Sequence, residues 1–120
     1  MSQVSLGDLW ESAWALEEDG DFAAARDAFY VAADAAEEVG FKEGAREARR
    51  RALQNHIAVW AKTRWPSEQF HPRDVTATVQ VRRRGGRLEF ALRRRTRSGT
   101  TVGFMYGTVG RRGDVRMDRR

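Results

Sequence analysis

Apolar positions recur three and four residues apart through the first half of the chain, which is the period of an amphipathic helix. The first series predicts a helix over about 6–18, where Ser5 and Asp8 resemble a capping box. Asp21 is a suitable N-cap for a second helix that ends near Gly40. The two apolar series are Leu6, Leu9, Trp10, Ala13, Trp14 and Leu16, and then Phe22, Ala25, Phe29, Ala32, Ala33 and Ala36.

A third helix is predicted from around Phe41 to Trp65-Pro66, because proline cannot continue a helix. Farther on, apolar and polar residues alternate with the period of two that is typical of strands. Arg84-Gly85-Gly86-Arg87 predicts a two-residue hairpin turn, since both glycines can adopt positive φ angles. The pairs expected from this turn are Val81–Phe90 and Val79–Leu92 on the apolar face, and Arg82–Glu89 and Thr78–Arg93 on the other.

A third strand is predicted over about 101–109, and Gly113-Asp114 predicts a turn into a short last strand with Val115 and Met117. If Val102, Phe104, Tyr106 and Thr108 point inward in the third strand, then Gly103, Met105 and Gly107 point outward. The opposite orientation stays open. It would expose Phe104 and Tyr106 for stacking on bases.

The predicted fold is α+β, with three N-terminal helices followed by a four-stranded antiparallel β-meander whose apolar face the helices cover. We divide the chain into an acidic helical region (1–65), a linker (66–74) and a basic sheet region (75–120). At 120 residues these regions are expected to form one compact domain.

The formal charge of +5 conceals two halves of opposite sign. Residues 1–48 hold 12 acidic and 3 basic residues, whereas residues 49–120 hold 19 basic and 5 acidic ones. The basic half is expected to meet a polyanion. Alternatively, the two halves neutralise each other, within one molecule or head to tail in a homodimer.

Catalytic residues are hard to find in this sequence. It has no cysteine and only two histidines, His56 and His71, so we expect neither a metal site nor a cofactor, and no enzymatic activity. A weaker alternative makes His71 the general base of a small ribonuclease toxin. Without a predicted membrane span or secretion signal, the protein is expected to be cytoplasmic.

Arginines in and around the predicted hairpin are the strongest functional signal. Guanidinium groups suit phosphate oxygens and stack on bases, so a sheet face that carries them can follow a sugar-phosphate backbone. The alternative is a solvated outer face that protects the sheet from aggregation. The predicted contacts to nucleic acid are Arg82, Arg84, Arg87, Arg93, Arg95 and Arg97. Of these, Arg82, Arg93 and Arg95 are expected to be solvent-exposed.

Gly20-Asp21-Phe22, followed by Ala25, Phe29 and Ala32, resembles the turn and second helix of a tetratricopeptide repeat. The resemblance covers about 6–56 and departs from the repeat in its first helix and at Glu37, where the closing proline is missing. It implies contacts with a protein partner, although one and a half units cannot form a long peptide-binding groove. A plain helical hairpin packed by alanines would have the same pattern.

These observations predict a non-enzymatic protein that binds nucleic acid, DNA or RNA, mainly through its backbone, and binds protein through the helices. The main alternative is a protein-interaction or regulatory module whose Trp10 and Trp14 contact a partner protein or a second copy. The high content of alanine and arginine is typical of a GC-rich genome, which suggests a bacterial or phage accessory protein.

Overall fold

The computed structural model describes residues 5–82 and 86–118, and for 77–82 it describes the backbone only. Three helices precede a four-stranded antiparallel sheet of order β1-β2-β3-β4, so the predicted α+β architecture is confirmed. The helices are α1 (Leu6–Glu18), α2 (Phe22–Glu38) and α3 (Lys42–Arg64), and a 3-10 turn η1 (Pro72–Asp74) leads into β1 (Val75–Arg82), β2 (Leu88–Arg95), β3 (Thr101–Val109) and β4 (Val115–Met117).

Short side chains begin the first two helices and small residues let them pack closely. The Ser5 hydroxyl accepts a hydrogen bond from the Asp8 amide at 3.1 Å, and the Asp21 carboxylate accepts one from the Ala24 amide at 3.2 Å. Each bond satisfies an amide that has no partner within its helix. Where α1, α2 and α3 meet, the buried residues are Ala13, Ala25, Phe29 and Ala52.

The third helix belongs to both parts of the fold. Helix α3 packs against α2. It also contributes Leu53, Ile57 and Ala61 to the core beneath the sheet. Phe70, from the predicted linker, is buried in the same core, so this segment is packed rather than extended into solvent. The buried sheet residues of this core are Val75, Leu88, Phe90, Leu92 and Val109.

The predicted register between β1 and β2 is wrong. Leu92 pairs with Val75, and Phe90 pairs with Ala77, four residues earlier in β1 than the turn predicts. Arg82 lies opposite Leu88 rather than Glu89, and an irregularity between Ala77 and Arg82 takes up the difference. Of the predicted turn Arg84-Gly85-Gly86-Arg87, the first two residues lie outside the described residues, and Gly86 has a positive φ of 78°. The first residue of the strand decides the register, because Val75 is buried against α3 and follows Asp74, whose carboxylate is paired with Arg93 and Arg95.

Of the two orientations that the sequence left open for β3, the structure has the one that exposes Phe104 and Tyr106. Met105 lies opposite Leu92 and packs against the core, whereas Phe104 is exposed. Gly107 explains the choice, since a Cβ atom there would come within 2.7 Å of Phe90 Cζ and 2.6 Å of the Arg116 carbonyl oxygen. This inward position therefore accepts only glycine, and its neighbours must point outward.

Within the described residues, no helix has both the length and the apolar character needed to cross a lipid bilayer.

Candidate nucleic-acid interface

The sheet face that points away from α3 carries exposed aromatic rings. Phe104 and Tyr106 stand on β3, an interior strand of the sheet, and are 57% and 41% exposed. Directly opposite them on β2 lie Arg93 and Ala91, in that order. Arg116 on β4 has an exposed side chain on the same face, opposite Thr108. We call these five residues, Ala91, Arg93, Phe104, Tyr106 and Arg116, the open sheet face.

This face has the geometry of a platform. Cross-strand partners have Cβ atoms about 4.5–5.5 Å apart, so the Arg93 side chain starts beside Phe104 and the small methyl group of Ala91 lies beside Tyr106. The Arg93 guanidinium itself is bonded to Asp74. Ala91 leaves space beside Tyr106, where a larger side chain would rise above the sheet. A planar group can therefore approach the rings closely while a cation lies within reach.

Beside the platform, Asp74 is clamped by two arginines. Its side chain is 0% exposed. Arg93 donates to Oδ1 from Nε at 2.9 Å and from Nη2 at 2.6 Å, and Arg95 donates to Oδ2 from Nε at 3.0 Å and from Nη2 at 2.5 Å. Burial raises the pKa of Asp74, but the hydrogen bonds from Arg95 and Arg93 outweigh it and hold the pKa below its ordinary value. Two guanidinium groups share one carboxylate, so this group keeps one positive charge at neutral pH.

The clamp changes the interpretation of two predicted contacts. The Arg95 side chain is only 13% exposed, which contradicts the expectation that it is solvent-exposed, whereas Arg93 is 37% exposed. Arg95 is thus mainly a support for Asp74. Arg93 uses Nε and Nη2 on Asp74 and keeps Nη1 for another acceptor.

Arg87 is likewise engaged within the protein. It forms an ion pair with Asp114 at 2.7 Å and donates to the Thr108 hydroxyl at 2.8 Å, so it ties β2 to β3 and to the β3–β4 turn. The hydrogen bond from Arg87 lowers the pKa of Asp114. Of the remaining predicted contacts, Arg97 is exposed in the β2–β3 turn, and Arg84 and the side chain of Arg82 lie outside the described residues.

Of the two tryptophans that we predict to bind protein, one is structural. Trp10 packs edge-on against Phe29, with ring centroids 5.8 Å apart, in the core between the helices. Trp14 is 42% exposed, and the Arg51 guanidinium lies over its ring at 5.7 Å. Trp14 is therefore the one that can reach a partner.

His71 caps η1. Its Nδ1 accepts a hydrogen bond from the Arg73 amide at 3.1 Å, and its own amide donates to Asp74 Oδ2 at 3.1 Å. Burial and the neighbouring Arg73 lower the pKa of His71, which favours the neutral imidazole. A neutral imidazole is a competent base, but Nδ1 is occupied by the cap. The described residues contain no cluster of three or more histidine, aspartate or glutamate side chains that could hold a metal ion.

Comparison of the chain with known protein families, curated proteins and solved structures found no match. The resemblance of the helices to a tetratricopeptide repeat therefore stays a prediction.

The sequence left open whether Phe104 and Tyr106 are buried or exposed, and it did not connect Asp74 with the arginines. One signal was available for each. A glycine two residues before Val109 marks a position against a bulky neighbour, and an acidic residue just before a strand can face arginines that alternate on the next one.

Proposed function

We propose that this protein binds single-stranded nucleic acid on the open sheet face, without catalysing a reaction. The observation that carries the proposal is the exposure of Phe104 and Tyr106 side by side on an interior strand, next to Arg93 and Ala91. Aromatic rings that face water gain no stabilisation from the burial of apolar surface. Stacked bases would cover them, and stacking tolerates any base.

Charge supports the same ligand. The clamp of Arg93, Arg95 and Asp74 keeps one positive charge beside the rings, and Arg116 and Arg97 are exposed around them. These cations can neutralise phosphates as the bases stack, which makes the affinity fall with salt. Because stacking needs unpaired bases, the proposed ligand is a single strand rather than a duplex.

The test is the affinity for short fluorescent oligo(dT) and oligo(U), measured by anisotropy at two salt concentrations. Phe104→Ala and Tyr106→Ala each remove a stacking surface worth about 1–3 kcal/mol, so each should weaken binding by roughly ten-fold. Phe41→Ala is the matched control, because Phe41 is a similarly exposed aromatic residue on the helical side. Equal affinities of wild type and both sheet variants would refute the proposal, as would stronger binding to a duplex of the same length.

A second function, contact with a protein or a second copy through the helices, is favoured by exposed apolar side chains there. Val31, Val39 and Phe41 are each at least half exposed, and Trp14 lies on the same helical part of the chain. Such residues can anchor a partner helix. Sedimentation of wild type and of Val31→Asp over a range of concentrations tests self-association, and a monomer at all concentrations excludes a homodimer.

A further inference from the structure

A cleft of about 960 Å³ opens between α2, the first half of α3 and the β3–β4 turn. Its lining includes the buried Leu53, Leu88 and Val109, which belong to the core beneath the sheet. The cleft therefore lies on the helical side of the sheet, and the open sheet face is on the other side. A nucleic-acid strand that stacks on Phe104 and Tyr106 would have to pass around the edge of the sheet to enter the cleft.

Cations dominate the wall of this cleft. Two carboxylates, Asp27 and Glu37, also line it, and each is engaged: Asp27 with Arg26 at 2.9 Å, and Glu37 with Arg49. Lys42, Arg46, Arg111 and Arg112 form no ion pair within the described part of the chain. The basic side chains along the wall are Arg26, Lys42, Arg46, Arg49, Arg111 and Arg112.

His56 joins the two walls. Its Nε2 lies 2.7 Å from the Gly113 carbonyl oxygen, and its Nδ1 lies 3.2 Å from Arg26 Nη1. Because the carbonyl can only accept and the guanidinium can only donate, both contacts are hydrogen bonds when Nε2 carries the ring proton and Nδ1 accepts. Gly113 has φ of 84°, and a Cβ there would be 3.1 Å from Nε2. The β3–β4 turn and Arg26 are thus held in fixed positions before any ligand arrives.

The dimensions select the kind of ligand. A cleft of this volume is in the range of small-molecule sites and exceeds the size of one inorganic anion. Lys42, Arg46, Arg111 and Arg112 are exposed and lie on opposite walls of the cleft, so an anion with charges at several points can contact more than one of them at once. Guanidinium groups form paired hydrogen bonds with phosphate oxygens.

We propose that this cleft binds a small molecule with a chain of phosphoryl groups, such as a nucleoside triphosphate or an inorganic polyphosphate. The phosphates lie among Arg46, Arg111 and Arg112, with Arg26 held by His56 at the side. In a nucleotide, the base would rest against the apolar residues of the lining. This site is separate from the open sheet face, and the proposal does not depend on nucleic-acid binding there.

Calorimetric titration of the full chain with ATP and, separately, with sodium tripolyphosphate tests the proposal. The variant Arg46→Gln/Arg112→Gln should bind both probes at least about ten-fold more weakly, since it removes two charge-assisted contacts to phosphate oxygens. The matched control is Lys62→Gln/Arg73→Gln, which removes two exposed charges outside the cleft and should change the affinity by less than about two-fold. Tighter binding of ATP than of tripolyphosphate would assign part of the recognition to the base, and equal binding would assign it to the phosphates; both support the site.

Three results would overturn the proposal: no binding of either probe at millimolar concentration, equal weakening in the control variant, or loss of oligonucleotide binding in the cleft variant, which would make the cleft part of a nucleic-acid path.

If the cleft variant does not fold, amide NMR spectra of the wild type with ATP decide instead. Shifts should centre on Ala45, Gly110 and Gly113. Shifts centred on Phe104 or spread over the whole surface would overturn the proposal. Unchanged ATP binding by Phe104→Ala separates this site from the proposed function.

Discussion

Arg95 donates two hydrogen bonds to Asp74, a carboxylate that is entirely buried at the start of β1. Removal of one partner leaves the other charge buried and uncompensated, which costs about 3–5 kcal/mol for such pairs. We expect Asp74→Ala to lower the free energy of unfolding by about this amount, because Arg95 and Arg93 both lose their carboxylate partner and their adjacent positive charges are left unpaired. Chemical denaturation measures it, with Arg97→Gln as the exposed control that should be nearly neutral. A small effect of Asp74→Ala would mean that β1 is held by apolar contacts alone.

The same carboxylate predicts how stability depends on pH. The pKa of Asp74 in the folded protein lies below its ordinary value of 3.8. Its stabilising effect is therefore fully present above pH of about 4 and is lost as the pH falls through the lower, folded-state pKa. Melting temperatures of wild type and Asp74→Asn between neutral pH and about pH 2 should converge at the acidic end. A constant difference across this range would contradict the lowered pKa.

A second stability prediction concerns the orientation of β3. Gly107→Ala should destabilise the protein by about 1–3 kcal/mol, because the added methyl group meets Phe90 and the Arg116 backbone at less than contact distance. Gly7→Ala is the control, since Gly7 lies in α1 with nothing closer than Ser5 Oγ at 3.9 Å. There alanine should stabilise the helix by about 0.5–1 kcal/mol. Thermal melts that show Gly107→Ala to be neutral would contradict the inward position of Gly107.

Local patterns were sufficient to predict the elements, because each contains its own start and stop signals. The first helix was predicted over about 6–18 and runs Leu6–Glu18, and the third strand was predicted over about 101–109 and runs Thr101–Val109. Ser5, Asp21 and Pro66 marked helix boundaries through side-chain caps and a missing amide, which act within a few residues.

The register and the face of the strands depend on contacts that are distant in sequence, and there local patterns were not sufficient. The two-residue turn predicts one pairing of β1 with β2. The contacts of Val75 with α3 and the ion pair of Asp74 with Arg93 on β2 favour another pairing, which the structure has. In β3, both alternating sets contain apolar residues, so periodicity could not choose between Phe104 and Met105 as the buried one. The basic cleft could not be predicted from local patterns either, because its cations come from positions as distant in sequence as Arg26 and Arg112.

The packing of the helices is tested by two alanines in α2. Ala25 is fully buried where α1 and α2 cross, whereas Ala23 is exposed. Ala25→Leu should overpack the crossing and cost about 1–3 kcal/mol, and Ala23→Leu should be nearly neutral. Thermal melts of the two variants compare them directly. Equal and small effects would mean that the alanines serve only as helix formers, and the tetratricopeptide-like assignment would be withdrawn together with the protein partner inferred from it.

The remaining prediction separates binding from RNA cleavage. A ribonuclease that used His71 would need its imidazole to exchange protons with the substrate, yet Nδ1 accepts the Arg73 amide and the ring packs edge-on against Phe22 at 5.4 Å. We therefore expect wild type and His71→Ala to leave labelled RNA intact and to bind it with equal affinity. The substitution removes the cap of η1, so a loss of stability of about 1 kcal/mol is expected, and folding is checked by a melt. RNA cleavage by the wild type that disappears in a folded His71→Ala variant would replace the binding proposal with a catalytic one. Stacking of nucleobases on the open sheet face does not require a proton-accepting imidazole at position 71.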